Sequence, residues 1–396
     1  MTQAEGTGSS DAGASSYLPT LDGWRAVAIG LVLVDHGADA LITAARHVHL
    51  DLARLLDANL RMIIGLFGVH IFFGLSGFLI TTRLMDEERK TKTVSLKKFY
   101  LRRLFRIQPP ALAFLLVVGA LGWARVIPVH RGSWLSAMLC FANLTSVPHT
   151  WYTGHFWSLA VEEHFYLLWP MLFLVLGSRA RIAGALAFAL GLALWRSVAF
   201  KYHLTFSESN VAQFWGRTDI QAEGLMWGCL AALVGKRASL RAWVDWLCTR
   251  KMFWLWLGVL LASVFVHSRD WKANFLLKTV AAALIPLVLL GTVRHPTLWV
   301  GRILESSVLR WVGRISYSLY LWQQVFFAWD AERAPALGVL QTWPLNLACA
   351  LLLAAASHYF LEKPVIALGR RLVSRRKPQP SAVVELSLTE APQRGI

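Results

Sequence analysis

Two ionisable residues stand inside the first long apolar stretch of the sequence. Arg25 and His36 are eleven positions apart in the run LDGWRAVAIGLVLVDH. On an α-helix this spacing turns through about 1100°, so both side chains lie within roughly 20° of one face, about 16 Å apart along the axis. An imidazole can take and return a proton, and a guanidinium can bind an anion. The alternatives are a snorkelling arginine and a histidine hydrogen-bonded within a core.

A pair of carboxylates lies in a second apolar stretch, HFWSLAVEEHFYLLWP, at residues 155–170. Glu162 shares a helical face with Tyr166 and Trp169, whereas Glu163 points about 100° away. A carboxylate inside such a helix could act as a base or could orient a histidine. The alternative is that both glutamates reach water at the membrane surface.

Two further motifs contain residues that could bind a ligand. In GVHIFFGLSGFLI, residues 68–80, Ser76 and Gly77 stand where small side chains allow a close approach, and helix packing alone would also explain them. In RRLFRIQPP, residues 102–110, Arg103 and Arg106 share one helical face. Paired guanidinium groups can bind phosphates in a bidentate manner. The alternative is that they only orient the chain in a membrane.

The elements that carry these residues are predicted to be membrane-spanning helices. The chain has 396 residues, of which 56% are hydrophobic and 16% charged, against about 25% charged in soluble domains. Apolar runs long enough to cross a bilayer recur along the chain. We therefore predict an all-α polytopic membrane protein, a bundle of about ten transmembrane helices. The spans are expected near residues 24–41, 61–81, 110–127, 159–177, 182–200, 221–235, 252–267, 274–293, 315–330 and 340–361.

Basic residues predict the orientation of this bundle. Lys and Arg concentrate between Arg83 and Arg106 and in alternate later loops, which the positive-inside rule assigns to the cytoplasm. We predict a multi-pass protein of the bacterial inner membrane with both termini in the cytoplasm, and outer segments at 128–158 and 201–219. The net charge of +17 lies in short loops, which can contact anionic lipids. No basic soluble module is seen, so a nucleic-acid partner is not expected.

The rest of the chain suggests one membrane domain with two tails. Residues 1–16 are rich in Gly, Ser and Ala and are predicted to be a disordered N-terminal tail. The membrane domain is expected over residues 17–366, followed by a basic and polar cytoplasmic tail over residues 367–396. The four cysteines are scattered without CxxC spacing, so neither a metal site nor a disulfide framework is predicted.

Six motifs in a fixed order give the chain a resemblance to a known family. They are LDGWRAVAIGLVLVDH, FFGLSGFLI, RRLFRIQP, FWSLAVEEHFYLLWP, GRISYSLYLWQQ at residues 313–324 and HYFLEKPV at residues 358–365. Together they resemble the acyltransferase 3 family, whose members are membrane acyltransferases that modify bacterial surface polysaccharides and some natural products. The resemblance extends from Leu21 to about Pro364.

The resemblance implies roles for the motif residues. Arg25 and His36 match an essential pair, with His36 as the catalytic base or as the carrier of a transient acyl group. Residues Glu162 and Glu163 match an acidic pair that would orient the imidazole. The expected binding residues for acyl-CoA are Arg103, Arg106, Ser76 and Gly77. Later motif positions, harder to assign to chemistry, are Tyr317, Tyr320, Trp322 and Glu362.

Three positions depart from the pattern of the family. His70 stands where the family usually has Asp, and His164 stands where Gln is common. These two imidazoles are expected near the site, where they could change the acceptor. Gln323 stands where many members have His, which leaves one fewer base.

The resemblance implies a membrane O-acyltransferase. We expect an acyl group, by preference acetyl, to move from cytoplasmic acyl-CoA to a hydroxyl of a carbohydrate or lipid-linked glycan, such as a surface polysaccharide or lipopolysaccharide sugar. Acyl-CoA would be a co-substrate, and no tightly bound cofactor is expected. Peptidoglycan and a small natural product of the macrolide type are alternative acceptors. A non-enzymatic transporter is an alternative of another class, although the paired interrupted spans typical of transporters are not seen.

Overall fold

The computed structural model describes residues 18–46, 58–144, 150–204, 216–265, 271–328 and 333–374. Within these ranges the chain forms helices and no β-strand, which confirms the all-α class. The predicted tail at residues 1–16 lies outside the described residues. Of the predicted C-terminal tail, residues 367–374 belong to the last helix, Lys363–Ser374, and the remainder is outside the described residues.

Sixteen α-helices follow one another in the described residues. The first seven are α1 (Pro19–Arg46), α2 (Ala58–Thr91), α3 (Leu96–Trp123), α4 (Arg131–Met138), α5 (Trp151–Gly154), α6 (Phe156–Val175) and α7 (Ser178–Lys201). The next five are α8 (Thr218–Gln221), α9 (Glu223–Gly235), α10 (Arg241–Leu247), α11 (Arg250–Phe265) and α12 (Trp271–Arg294). The last four are α13 (Trp299–Leu304), α14 (Ser307–Phe326), α15 (Leu345–Ala356) and α16 (Lys363–Ser374), with a π-helical segment, Ser357–Glu362, between the final two.

Seven helices of the described chain are long and apolar enough to cross a membrane, which confirms the polytopic class. They cover Pro19–Arg46, Ala58–Thr91, Leu96–Trp123, Trp151–Val175, Ser178–Lys201, Leu276–Arg294 and Leu345–Val373. The other three predicted spans also coincide with helices, namely α9, α11 and α14, of 13, 16 and 20 residues. These three do not combine the length and apolarity of the seven. The total of ten spans therefore stays a prediction.

Helix α1 lies at the centre of the motif-bearing helices. It packs against α2 on one side and against α14 on another. Its buried positions are mostly small or β-branched, as at Ala28, Ile29, Val32 and Ala38. Short side chains allow neighbouring helices to approach closely. This arrangement brings the face that carries His36 against α14.

Helices α2 and α9 meet through glycines. A Cβ atom on Gly77 would collide with the main-chain carbonyl of Leu225, and one on Gly228 would collide with the carbonyl of Gly74. Only a residue without a side chain allows main chains this close. The glycines of FFGLSGFLI therefore form a helix contact, the alternative that the sequence left open for them.

A buried ion pair joins three helices on the other side of α9. Arg196 of α7 pairs with Glu223 of α9, and their side chains are 8% and 2% exposed. The guanidinium also donates to the Thr279 hydroxyl at 3.1 Å, and the Trp227 indole donates to the Glu223 carboxylate at 3.2 Å. These added hydrogen bonds are what a buried charge pair requires to be tolerated.

Candidate active site

The imidazole of His36 is held by α14. Its Nδ1 atom lies 3.0 Å from Oε1 of Gln323. The ring of Trp151 packs edge-on against it, with 5.0 Å between ring centroids. The histidine is thus fixed by one polar partner and one aromatic partner that follow it by more than a hundred positions in the sequence.

A chain of carboxamides sets the orientation of Gln323. Its Nε2 atom donates to Oε1 of Gln324 at 2.8 Å, and Nε2 of Gln324 donates to the carbonyl of Trp151 at 2.6 Å. These hydrogen bonds turn Oε1 of Gln323 toward His36, and a carboxamide oxygen can only accept a hydrogen bond. The Nδ1 atom of His36 must then carry the proton, and Nε2 keeps its lone pair; this tautomer is inferred from the hydrogen-bond network. The arrangement suits a base whose free nitrogen is Nε2.

Glu162 forms a second polar group together with α2. Its carboxylate accepts hydrogen bonds from the Ser76 hydroxyl at 2.8 Å and from the Tyr166 hydroxyl at 2.6 Å. The guanidinium of Arg103 lies over the ring of Tyr166, 4.8 Å from its centroid. The structure therefore brings three of the predicted site residues together. The expected orientation of His36 by a glutamate is not seen, because Gln323 occupies that position.

Four arginines form a basic cluster on α1, α2 and α3. The charge on Arg83 interacts with those on Arg25, Arg103 and Arg106. Arg25 pairs with Asp22 at 2.8 Å, and Arg103 and Arg25 also interact electrostatically with Glu162. Within the described chain, no carboxylate lies within ion-pair distance of Arg83 or Arg106. Cations gathered in this way favour an anionic ligand.

The late motif residues support these groups. The Tyr317 hydroxyl donates to the carbonyl of Ile107 at 2.9 Å, one residue after Arg106. Glu362 accepts from Ser318 and lies 3.0 Å from Nδ1 of His358, and its charge interacts with Arg106. Tyr317 thus contacts α3, the helix that carries the predicted phosphate-binding arginines, and Glu362 interacts electrostatically with the same helix.

Comparison with known proteins gives the family of the chain. A family model described as an acyltransferase domain, that of the acyltransferase 3 family, matches residues 18–362. The chain belongs to the acyltransferase 3 family. The matched range contains His36, the carboxamide chain and the whole basic cluster.

Several relatives of the chain carry names that state an activity. A Bacillus subtilis protein to which a peptidoglycan O-acetyltransferase activity is attributed, YrhL, is 29% identical over 91% of the chain. The peptidoglycan O-acetyltransferase OatA of Listeria monocytogenes is 26% identical over 88% of the chain. The chain covers 56% of the length of each of these relatives. No solved structure matches the chain.

Two residues that the acyltransferase 3 motifs place in the site face elsewhere. Glu163 lines a small cavity with Gln108, Cys140 and Tyr317. Gly77 faces the main chain of α9 rather than the basic cluster. The charge of Glu163 still interacts with that of Arg103. Within the described residues no hydrogen bond joins Glu163 or Gly77 to His36, so their predicted roles in catalysis and in acyl-CoA binding remain predictions.

The two extra imidazoles of this family member contact the short helix α8. His70 Nε2 lies 3.0 Å from Oε1 of Gln221, and His164 Nδ1 lies 2.7 Å from the Thr218 hydroxyl. Each of these imidazoles thus forms its hydrogen bond with a residue of α8, whereas His36 forms its hydrogen bond with Gln323. Their influence on the acceptor stays a prediction.

Sequence reasoning missed two contributors to the candidate site. Gln323 was noted only as a departure, although it is the residue that holds His36. Arg83 was noted only as the start of a basic segment, although its charge interacts with the other three arginines. The sequence did contain a signal for Arg83. It is the first basic residue after the second apolar run, and it lies on α2, the helix immediately before the one that carries Arg103.

Proposed function

We propose that this protein transfers an acetyl group from acetyl-CoA to a hydroxyl group of a bacterial surface glycan. The observation that carries the proposal is the hydrogen bond from His36 to Gln323, which leaves Nε2 of the imidazole free to accept a proton. A base must be oriented toward the proton that it removes. A histidine whose only role was to stabilise the bundle would not require one ring nitrogen to be held in position without a hydrogen-bond partner.

The basic cluster supports acetyl-CoA as the donor. Coenzyme A carries three phosphate groups at the end opposite its thiol, and arginines bind phosphates through bidentate hydrogen bonds. Arg103 and Arg106 would bind these phosphates, while Arg25 and Arg83 add positive charge. On α1 the cluster and His36 are about 16 Å apart, a distance that the flexible pantetheine arm of the donor would bridge. The donor would enter from the cytoplasm.

The proposed reaction uses His36 as a general base. The hydroxyl oxygen of the acceptor attacks the thioester carbonyl carbon while its proton passes to Nε2 of His36. The carbon–sulfur bond then breaks, and the coenzyme A thiolate takes the proton back from the imidazole. Gln323 keeps Nδ1 protonated throughout. Every proton and electron pair is thus accounted for without a metal or a further cofactor.

The named relatives support a glycan acceptor. Peptidoglycan is the acceptor stated in the names of two of them, so its fragments are the first acceptors to test. The test is acetyl-CoA cleavage by the purified protein in nanodiscs, with coenzyme A release measured together with acetylation of the glycan by mass spectrometry. We expect acceptor-dependent release and an acetylated product. Movement of substrate across liposomes without thioester cleavage would instead favour a transporter.

Loss of the two α3 arginines is expected to weaken acetyl-CoA binding. Hydrogen bonds to charged groups contribute about 1.5–3 kcal/mol, and about 1.4 kcal/mol corresponds to a tenfold change in affinity. The double variant Arg103→Gln/Arg106→Gln should therefore raise KM for acetyl-CoA at least about tenfold, with a smaller change in kcat. Initial rates at varied acetyl-CoA give both constants.

Arg102 provides a matched control for this prediction. It lies on the same helix but pairs with Glu87 at 2.6 Å, so Arg102→Gln removes one positive charge from a partly exposed ion pair, where the double variant removes two. We expect its KM to stay near that of the wild type. An equal rise in KM for both variants would show that general positive charge, rather than the Arg103 and Arg106 site, attracts the donor.

Removal of the acceptor that holds His36 is expected to slow the reaction. Gln323→Leu deletes a hydrogen bond with a net contribution of about 0.5–1.5 kcal/mol, and about 1.4 kcal/mol corresponds to tenfold in rate. We expect kcat to fall by up to about tenfold. Gln323→Glu keeps an oxygen facing His36 and should retain more activity. Equal kcat values for the leucine and glutamate variants would contradict this role.

A further inference from the structure

A second buried imidazole lies beside His36 and has no use in the mechanism above. His155, between α5 and α6, is 4% exposed. Neither of its ring nitrogens has a hydrogen-bond partner in the described part of the protein. A buried polar group left without a partner costs about 1–3 kcal/mol. Such an arrangement indicates a partner that comes from outside the chain.

The surroundings of His155 explain why its own neighbours cannot supply this partner. Its ring is enclosed by the rings of Phe114, Phe156 and Tyr320, with centroids 5.2, 4.8 and 5.4 Å away. The hydroxyls of Tyr320 and Ser158 lie 2.6 Å apart and bond to each other. One hydroxyl donates to the other, and the second is left to donate to the main-chain carbonyl of His155, which lies 3.1 Å from Ser158 and 3.3 Å from Tyr320. A phenylalanine would fill this aromatic site without any unsatisfied nitrogen.

The position of His155 places it next to the reacting centre. His155 packs on Tyr320 and His36 bonds to Gln323, residues three positions apart and therefore on one face of α14. Their contacts with α14 are separated by about one helical turn, roughly 5 Å. A group that reacts at His36 therefore lies within reach of His155.

We propose that the ring N–H of His155 donates a hydrogen bond to the carbonyl oxygen of the acetyl group that reacts at His36. This inference rests on the proposed function. When the acceptor hydroxyl attacks, the carbonyl electron pair moves onto this oxygen, and it returns when the carbon–sulfur bond breaks. His155 keeps its own proton in both steps. Since His36 serves the acceptor hydroxyl, the carbonyl oxygen is the reacting atom that still requires a donor.

The decisive variant is His155→Phe, which keeps the aromatic packing and removes the donor. Loss of one such donor typically lowers kcat by about 10²–10³-fold. The melting temperature should stay equal or rise, because two unsatisfied nitrogens are removed. His155→Gln, which retains an N–H donor, should recover part of the lost kcat. A folded His155→Phe protein with a wild-type kcat, or a glutamine variant no better than phenylalanine, would overturn the proposal.

A binding measurement separates this proposal from the proposed function. In dethia-acetyl-CoA a methylene replaces the sulfur, so the carbonyl is present but the molecule cannot be cleaved. We expect the wild type to bind this analogue more tightly than His155→Phe does, whereas coenzyme A itself should bind both equally. Equal affinities for the analogue would overturn the role of His155. Failure of the wild type to release coenzyme A from acetyl-CoA would instead count against the proposed function.

Discussion

Replacing His36 with alanine is expected to lower kcat by about 10²–10⁴-fold, the contribution typical of a general base. The expectation follows from the free Nε2 atom that the Gln323 hydrogen bond leaves. Because the alanine variant keeps the arginine cluster, its KM for acetyl-CoA should change little. Coenzyme A release and glycan acetylation, measured side by side with the wild type in nanodiscs, give both constants.

His295→Ala is the matched control for the loss of an imidazole. His295 follows α12 and bonds to the main-chain carbonyl of Cys248, not to Gln323. We expect this variant to keep a kcat near that of the wild type. A well-folded His36→Ala protein with normal acetyl transfer would contradict the proposed mechanism. Mass spectrometry of the wild type with acetyl-CoA and no acceptor also distinguishes a general base from a transient acetyl-histidine.

Breaking the buried ion pair between α7 and α9 is expected to have the largest effect on stability. Arg196→Met removes the guanidinium that pairs with the Glu223 carboxylate, which is 2% exposed, and leaves it with the electrostatic interaction of Lys278. Removal of one partner from a buried pair typically costs about 3–5 kcal/mol. The variant should unfold at a lower temperature and at a lower SDS fraction in mixed micelles, and both can be followed by tryptophan fluorescence.

The double variant Arg196→Met/Glu223→Leu tests the reason for that loss. Apolar residues of similar volume avoid the uncompensated charge, and such replacements are often neutral or stabilising. We therefore expect the double variant to be more stable than Arg196→Met alone. A double variant as unstable as the single one would show that Thr279 and Trp227, which also bond to the pair, depend on both charged groups.

The helices and the alignment of Arg25 with His36 could be predicted because both depend on local sequence. Apolar runs favour helices in a bilayer because the main chain must satisfy its own hydrogen bonds. The helical repeat alone places Arg25 and His36 on one face of α1. Hydropathy is less informative for helix α14. Its polar residues Gln323 and Gln324 form hydrogen bonds within the bundle, and the mean hydropathy of a helix contains no information about such bonds.

The partners within the site could not be predicted because they depend on the packing of distant helices. His36 and Gln323 are 287 positions apart, and Ser76 and Glu162 are 86 apart. Spacing within one helix contains no information about which neighbour a side chain meets. The acidic pair was therefore assigned to the imidazole, whereas the structure gives that place to a carboxamide from α14.

The glycine contact between α2 and α9 also restricts how the bundle can open. A sliding or rolling movement of one helix on the other would drive side chains into main-chain carbonyls, since Gly77 and Gly228 mark places with no room for a Cβ atom. Tightly packed elements of this kind move together rather than deform. We expect the two helices to behave as one rigid body. A gate that admits the glycan would then open at another boundary of the bundle.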